Sequence, residues 1–487
     1  MSMIQIRGLS FSYGAQTVFE DVDLTLDTDW KLGFTGRNGR GKTTFLKILA
    51  GRLAAAGKIS ASVGFEYFPY PAPYGTAEEL FKTLAPDAPL WRIKRELFAL
   101  GLDENALYAP FAGLSEGEKT KAMIAAMFLK ENAFLLVDEP TNHLDERGRE
   151  MLAAYLRKKS GFIVVSHDRA FLDGFCDHIL SLNRTGIEVR KGDFSAYLAD
   201  KAAREDNERT ENKRLRSEIS ALEQSARRTK EWGERVEKSK NEKTAGLKPD
   251  KGHVGAMAAK MMKRAKSTER QKERAAAEKR SLLKDAEFVG NLKLSPLPYR
   301  AETVCALSHV RVRYGEREVL SDFSLAVRRG EAVRLSGANG CGKSTVLRLL
   351  TGEIRCDAGE ISRPNDLVIS YLPQTLPDSP LTPARYAESL CVDPAQFLAI
   401  LNKFDFKSEL FGSPVASFSD GQKKKVALAA SLSQSAHLYV WDEPLNFLDV
   451  ISRMQIQELL LEYRPTLLFV EHDAAFCKAV ATRTVEM

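Results

Sequence analysis

The sequence contains no apolar run approaching the roughly 18 residues that a membrane-spanning helix needs. That excludes an integral membrane protein built on such helices. The start, Met1-Ser-Met-Ile-Gln-Ile-Arg7, alternates like a strand and lacks the apolar core of a secretory signal. Cysteine is scarce and scattered: Cys176, Cys305, Cys341, Cys356, Cys391 and Cys477 form no Cys-x-x-Cys pair. A cysteine zinc site is thereby excluded, and the usage fits a reducing, cytoplasmic setting. What remains is an ordinary globular composition, 44% hydrophobic and 28% charged, and 487 residues leave room for two core-bearing domains.

The residues that carry chemistry come in a series. Short strand-like stretches, Ile4–Arg7, Leu9–Tyr13, Leu24–Asp27 and Lys31–Thr35, lead into Gly36-Arg-Asn38-Gly39-Arg-Gly41-Lys42-Thr43, a complete P-loop. Its glycines let backbone N–H groups close around phosphates, Lys42 reaches the β and γ phosphates, and Thr43 can ligate Mg²⁺. The helix that Thr44 opens points its positive end at the same place. Leu114-Ser115-Glu116-Gly117-Glu118 then introduces a helix over Lys119–Phe128, and an apolar strand, Phe134–Val137, ends in Asp138-Glu139. A carboxylate pair at a strand's C-terminal end beside a P-loop suits Mg²⁺ handling and activation of water. A second apolar strand, Phe162–Val165, delivers Ser166-His167-Asp168, and this position suits His167 to sense a γ-phosphate.

The whole series recurs. Tyr13 returns as Tyr314 and Lys42 as Lys343 at an offset of 301, Ser115 as Ser419 and Glu139 as Glu443 at 304, and His167 as His472 at 305. The second P-loop reads Gly337-Ala-Asn339-Gly340-Cys-Gly342-Lys343-Ser344, with Thr345 following. The chain is a tandem duplication: 1–197 and 295–487, with 198–294 between them.

The segment 198–294 has no counterpart elsewhere. Leu215, Ile219, Leu222 and Ala226 set a narrow apolar seam on an otherwise charged helix over Lys201–Glu242. A breaker-rich patch from Thr244 to Gly255 follows, and a second helical run covers about Ala256–Glu287, with Met257, Met261, Ala265, Leu282, Leu283 and Ala286 as seam candidates. The pattern predicts an antiparallel helical hairpin, an arm on the order of 60 Å long for about 40 residues at 1.5 Å each. Between Ala226 and Arg270 there are fourteen cations against six anions, an excess of eight, larger than the +6 of the entire chain. Charge gathered on the distal arm is the footprint of a phosphate-backbone partner.

These motifs resemble the ATP-binding cassette ATPases, and the resemblance spans both halves: Leu114-Ser-Glu-Gly-Glu and Phe418-Ser-Asp-Gly-Gln look like that family's signature loop. Two cassettes with a long arm between them look like its ABC-F subfamily of ribosome-binding proteins. Val165-Ser-His-Asp-Arg-Ala-Phe, Leu432-Ser-Gln-Ser-Ala, Trp441-Asp-Glu-Pro-Leu-Asn, Val470-Glu-His-Asp-Ala and the arm's Gly252-x-x-Gly255-x-x-Ala258 are similar, more narrowly, to its Lsa-type antibiotic-resistance branch. The resemblance implies an α/β fold, two P-loop nucleotide-binding domains in a head-to-tail sandwich within one monomer. It implies two sites for ATP and Mg²⁺. One would combine Tyr13, Gly36 to Thr43, Thr44, Asp138, Glu139 and His167 with Ser419 and Gly421 of the other half. The other would combine Tyr314, Gly337 to Ser344, Thr345, Gln374, Asp442, Glu443 and His472 with Ser115 and Gly117. Thr43, Asp138, Ser344, Gln374 and Asp442 would hold the metal, and Glu139 and Glu443 would polarise the attacking water.

The implied partners are the exit site of the 70S ribosome, its 23S rRNA and the P-site tRNA. There the arm would dislodge lincosamides, streptogramin A or pleuromutilins from the peptidyl-transferase centre. Tyr70 stands where the second half has Gln374, and Glu116 and Asp420 replace a signature glycine. A transporter ATPase has no use for a cationic arm, an excision-repair cassette protein would carry zinc cysteines, and a chromosome-maintenance protein would be one split cassette. The alternative that stays open is a housekeeping ABC-F factor acting on stalled or energy-starved ribosomes.

Overall fold

The structure, a computed structural model, describes residues 2–14, 16–71, 75–142, 144–183, 186–239, 292–315, 317–338 and 340–487, and within the remainder Lys263, Ser267 and Gln271. Asn339, the tip lysines and the seam candidates from Met257 to Ala286 lie outside the described residues, as does the returning run of the arm. The chain divides into two compact units, Met1–Tyr197 with Gly290–Met487, and Leu198–Val289.

In the larger unit one set of parts is used twice, once in each half, with one strand more described in the first half than in the second. The first half supplies β1 (Met3–Tyr13), β2 (Gln16–Asp27), β3 (Lys31–Gly36), β4 (Ala56–Ser60), β5 (Gly64–Phe68), β6 (Ala133–Asp138), β7 (Phe162–Val165), β8 (His178–Asn183) and β9 (Gly186–Lys191). The second supplies β10 (Thr303–Tyr314), β11 (Arg317–Arg328), β12 (Ala332–Ser336), β13 (Ala358–Ser362), β14 (Ile369–Leu372), β15 (Leu438–Asp442), β16 (Leu467–Val470) and β17 (Arg483–Glu486). Among the described residues the main sheets run β5-β6-β7-β3-β8-β9 and β14-β15-β16-β12-β17. Antiparallel side sheets run β2-β1-β4 and β11-β10-β13.

The inner strands of the main sheets pair in parallel. Their sequences read as unbroken apolar runs because both faces are covered: every residue of Phe162–Val165 and Leu467–Leu468-Phe-Val470 is buried. The first P-loop helix, Lys42–Leu49, turns Phe45, Leu46, Ile48 and Leu49 into a core shared with Ile4, Ile6, Leu26, Phe34, Leu136 and Val165. Val346, Leu347, Leu349 and Leu350 do the same in the second half. The opposite face of β15 carries Tyr439 and Trp441 into a separate core of helical residues such as Phe397, Leu401 and Leu428. There Trp441 Nε1 donates to Ser431 Oγ at 2.9 Å, and Ser431 Oγ meets Ser370 Oγ at 2.7 Å.

Several element boundaries differ from the sequence reading. Ile4–Arg7 and Leu9–Tyr13 are one strand, because Gly8 (φ +60°) absorbs a register shift between Ile6 and Leu9 rather than ending it. The signature helix begins at Glu116, not Lys119, since Ser115 caps it: its Oγ accepts from Glu118 N–H, and Glu118 carboxylate returns a bond to Ser115 N–H. The arm's first helix is Phe194–Ser239, 46 residues, about 69 Å at 1.5 Å per residue. It starts earlier than the charge shift suggests, because Asp193 accepts from Ala196 N–H and Phe194 is buried. On it Leu215 is half-buried and Ile219 buried, and Asn212 extends that face one turn back. Leu292 and Leu294, counted with the 198–294 segment in the sequence reading, are buried in the core of the second half. Among the described residues no helix is long and apolar enough to cross a membrane.

The Trp441–Ser431–Ser370 chain makes a clean test of packing. Trp441→Phe keeps most of the apolar volume but leaves a buried hydroxyl without its donor, and should cost about 1–3 kcal/mol. Thermal unfolding should show a lowered midpoint, with Ser431→Ala in the Phe background recovering part of it.

Candidate functional site

The P-loop of the first half sits at the end of β3, and its backbone demands glycine. Gly41 has φ +108°, and a Cβ there would lie 2.5 Å from Val18 Cγ1; Gly342 repeats this at φ +106° and 2.9 Å from Val319 Cγ1. Lys42 is buried, and its Nζ donates to the carbonyls of Gly36 (2.7 Å) and Arg37 (3.2 Å) and to Asn38 Oδ1 (3.2 Å). Lys343 Nζ likewise donates to the carbonyls of Gly337 and Ala338 at 2.7 and 2.9 Å. Burial lowers the Lys42 pKa, and the charges of Glu139, Asp449 and Asp138 partly offset this.

Two cavities lie between the halves. The first, about 550 Å³, gathers Tyr13, Asn38, Gly39, Gly41, Lys42, Thr43, Thr44, Asp138, Glu139 and His167 from one half with Ser419 and Gly421 from the other. The second, about 870 Å³, gathers Tyr314, Gly340, Gly342, Lys343, Ser344, Thr345, Gln374 and Glu443 with Ser115 and Gly117. Each P-loop therefore faces the N-terminus of the other half's signature helix. Gly36 and Gly337 stand just behind the cavities as carbonyl acceptors, and Asp442 is buried behind the second. His472 lines a smaller neighbouring cavity of about 260 Å³. Asn142, Lys425, Phe447 and Arg453 also line the first cavity and Asn142 and Arg317 the second; the sequence reading passed over all of them. Asn142, in the Pro-Thr-Asn stretch directly after the Asp-Glu pair, was the one with a local signal.

Glu139 and Glu443 both adopt left-handed backbone, φ 49° and 48°, a conformation rare outside glycine. Each follows the last residue of its strand, and its N–H donates to the neighbouring strand's end, Val165 and Val470 carbonyls at 3.0 Å. The kink turns both carboxylates into the interface. Glu139 Oε1 is buried and 3.1 Å from His167 Nε2. Burial, with Asp138 adding to it, pushes the Glu139 carboxyl up to about 7. Burial also holds His167 well below the ordinary histidine range, so it stays neutral.

The two sites differ in what steadies their carboxylates. Gln374 Nε2 donates to Glu443 Oε2 at 3.0 Å, and Asn446 Nδ2 donates to the same oxygen. Lys424, buried and with its pKa lowered by burial to about 8, donates to the carbonyls of Pro373, Gln374 and Asp442, and so ties the Gln374 loop to the strand end. At the equivalent places the first half has Tyr70, which lines neither cavity, and Thr120, whose hydroxyl donates to Glu116. Instead Tyr67 OH donates to Asp138 Oδ2 at 2.9 Å. Asp420 is exposed and does not line the first cavity, whereas Glu116, paired to Lys119, lines the second beside Ser115 and Gly117, so a signature-loop acid stands at that site alone of the two.

The donor set suits a divalent cation. Asp138 Oδ1 and Asp442 Oδ1 are buried oxygens with no hydrogen-bond partner; Asp138 shares the first cavity with Thr43, and the Ser344 hydroxyl lies against the Asp442 carboxyl group. Buried carboxylate oxygens left without a donor are what a hard cation satisfies.

The sequence signature of the ABC transporter family matches residues 19–142 and 320–446. The chain is 30% identical to the ATP-binding protein Uup of Caulobacter vibrioides, covering all of this chain and 77% of that protein. It is 27% identical to the ribosome protection protein VmlR of Bacillus subtilis, over 97% of this chain and 84% of that one. It is 24% identical to ABC transporter F family member 2 of Arabidopsis thaliana, over 100% and 76%. Among solved structures, archaeal ribosome recycling factor aABCE1 in complex with the stalk protein aP1 superimposes with a TM-score of 0.65 at 22% identity, over 98% of this chain and 87% of that one; this likeness concerns the fold.

Two expectations follow. With site one silenced by Glu139→Gln, adding Gln374→Ala should lower phosphate release by about tenfold or more, as for loss of a group that positions a general base. With site two silenced by Glu443→Gln, Tyr70→Ala should change the rate less than about twofold, since Tyr70 is outside the cavity. The pH profile of the Glu443→Gln protein is the second. A general base at Glu139 would act only when ionised, so the rate should fall as pH drops through about 7.

Proposed function

The chain belongs to the ABC transporter family of ATPases, in its ABC-F branch, and from that premise we propose that it is a ribosome protection factor. In this reading it binds the ribosomal exit site in its ATP-bound form. The arm, 198–294, reaches toward the peptidyl-transferase centre and displaces lincosamide, streptogramin A or pleuromutilin antibiotics. The observation that carries the reading is the coupling of a complete pair of split ATP sites to one inserted, cationic arm, in a chain whose relative VmlR is named a ribosome protection protein. The 30% identity to Uup, named only as an ATP-binding protein, favours the second reading, a housekeeping factor for stalled ribosomes in the cytoplasm.

Mechanistically, ATP is held by both halves at once. Lys42 and Lys343 meet the terminal phosphates, the P-loop N–H groups cradle them, and Ser419 and Ser115 close from the opposite half. Tyr13 and Tyr314, about half exposed at the cavity mouths, offer rings for the base. Mg²⁺, when bound, would be held by Thr43 and Asp138 at one site and by Ser344, Asp442 and Gln374 at the other, where it neutralises phosphate charge. Glu139 and Glu443 take a proton from the attacking water, and neutral His167 and His472 orient beside them. Hydrolysis removes the γ-phosphate that joins P-loop to signature helix, and the halves release each other.

The double change Glu139→Gln with Glu443→Gln should hold the closed state, so in ATP the protein should co-sediment with ribosomes several-fold better than wild type. Equal co-sedimentation speaks against an ATP-driven clamp. Replacing 239–256 with a short glycine-serine turn should leave ribosome binding and ATPase intact while drug protection in growing cells is lost. Protection retained against every drug class makes that tip a mere connection, and protection absent even in wild type selects the housekeeping reading. Lys260→Glu with Lys263→Glu should weaken ribosome binding and flatten its dependence on salt, because fewer counterions are released.

A further inference from the structure

Behind each histidine lies a buried ion pair, repeated in both halves. Arg149 Nη1 is 3.0 Å from Asp168 Oδ2, and Arg453 Nη1 is 3.2 Å from Asp473 Oδ2; all four side chains are buried. Each aspartate directly follows the histidine of its own half and caps the next helix, Asp168 accepting from Phe171 N–H and Asp473 from Phe476 N–H. Each arginine also donates from Nε to a carbonyl of its own half, Leu144 at 3.1 Å and Leu448 at 3.0 Å. A planar guanidinium can hold a carboxylate and a carbonyl together, which an ammonium cannot do with the same geometry.

The same arginines stand across the interface from the other half's histidine. Arg453 lines the first ATP cavity with His167 and Glu139. Arg149 and Asp168 line the 260 Å³ cavity with His472. A closed circuit results: His167 and Asp168 are neighbours in sequence, Asp168 holds Arg149, Arg149 faces His472, His472 adjoins Asp473, and Asp473 holds Arg453, which faces His167. A buried arginine gives up its carboxylate only if another anion takes its place. A terminal phosphate in the first cavity is such an anion for Arg453; Arg149 stands one cavity removed from the second site.

We propose that Arg453 carries the occupancy of site one to site two, shifting between Asp473 and the phosphate beside His167, with Arg149 providing the weaker return path. When triphosphate enters site one, Arg453 eases from Asp473. Asp473 then resets the adjoining His472 against Glu443, a contact that stands at 3.9 Å where its counterpart, His167 to Glu139, stands at 3.1 Å. Burial holds His472 down to about 4, against the pull of Glu443, so its response is movement rather than protonation. Both arginines are positioning residues.

The inference rests on the ATP-site reading but needs no ribosome for its test. Phosphate release by the full chain, measured against ATP concentration, should be sigmoidal, with a Hill coefficient of about 1.5 or more for a coupling of ordinary size. Arg453→Met should bring the coefficient to 1 whatever its saturating rate, and Arg149→Met should give an intermediate value. Arg453→Lys, which keeps the buried charge but not the fork, should also fall to 1, and guards against a folding defect in the Met variant. A hyperbolic wild type, or an unchanged coefficient in both Arg453 variants, overturns the proposal. Glu139→Gln with Glu443→Gln tests the ATP-site reading separately, since ATPase that survives in it counts against the sites and not against the arginines.

Discussion

Burying Lys42 is the act on which the remaining geometry depends. Its ammonium is stripped of water and held by three oxygens of its own loop, and its charge is balanced by Glu139, Asp138 and, from the other half, Asp449. A buried cation of this kind persists only where anions are arranged around it. That need draws the end of β6 toward the P-loop and the second half toward the first. Asn38 is the hinge of the contact: its Oδ1 accepts from Lys42 while its Nδ2 donates to Phe447 carbonyl across the interface at 2.6 Å.

The duplication makes the chain its own control. Features that recur in both halves, such as the left-handed Glu139 and Glu443, the tightly packed Gly41 and Gly342, and the two Arg–Asp pairs, answer a demand common to both sites. Features present once mark where the sites have parted. Gln374 and Lys424, which stand where the first half has Tyr70 and Thr120, brace Glu443; Tyr67 is matched by Tyr371, but the Tyr67 hydroxyl bonds to Asp138 whereas Tyr371 meets Arg348. Arg334, also without a counterpart, donates from Nη2 to Glu146 of the other half at 2.7 Å and to Glu471 carbonyl at 3.2 Å. The two cavities thus share a ground plan and differ in what holds their carboxylates still.

What the sequence by itself determined was everything local. The P-loops were legible because a phosphate cradle needs glycine conformations within a few residues. The strands Phe162–Val165 and Ala133–Asp138 were legible because parallel strands covered on both faces are apolar throughout, so their ends, with Asp138, Glu139 and His167, could be placed. The helix starts at Glu116 and Phe194 needed the capping bonds of Ser115 and Asp193, a finer signal that the onset of charge concealed. Tertiary structure alone decided which residues far apart in the chain share a cavity. Asn38 meets Phe447, and Arg453 faces His167, through packing between halves, to which no local periodicity is sensitive. It alone decided the protonation of Glu139 as well, since a carboxyl is raised to about 7 by burial and by its neighbours, and burial belongs to the fold rather than to the residue.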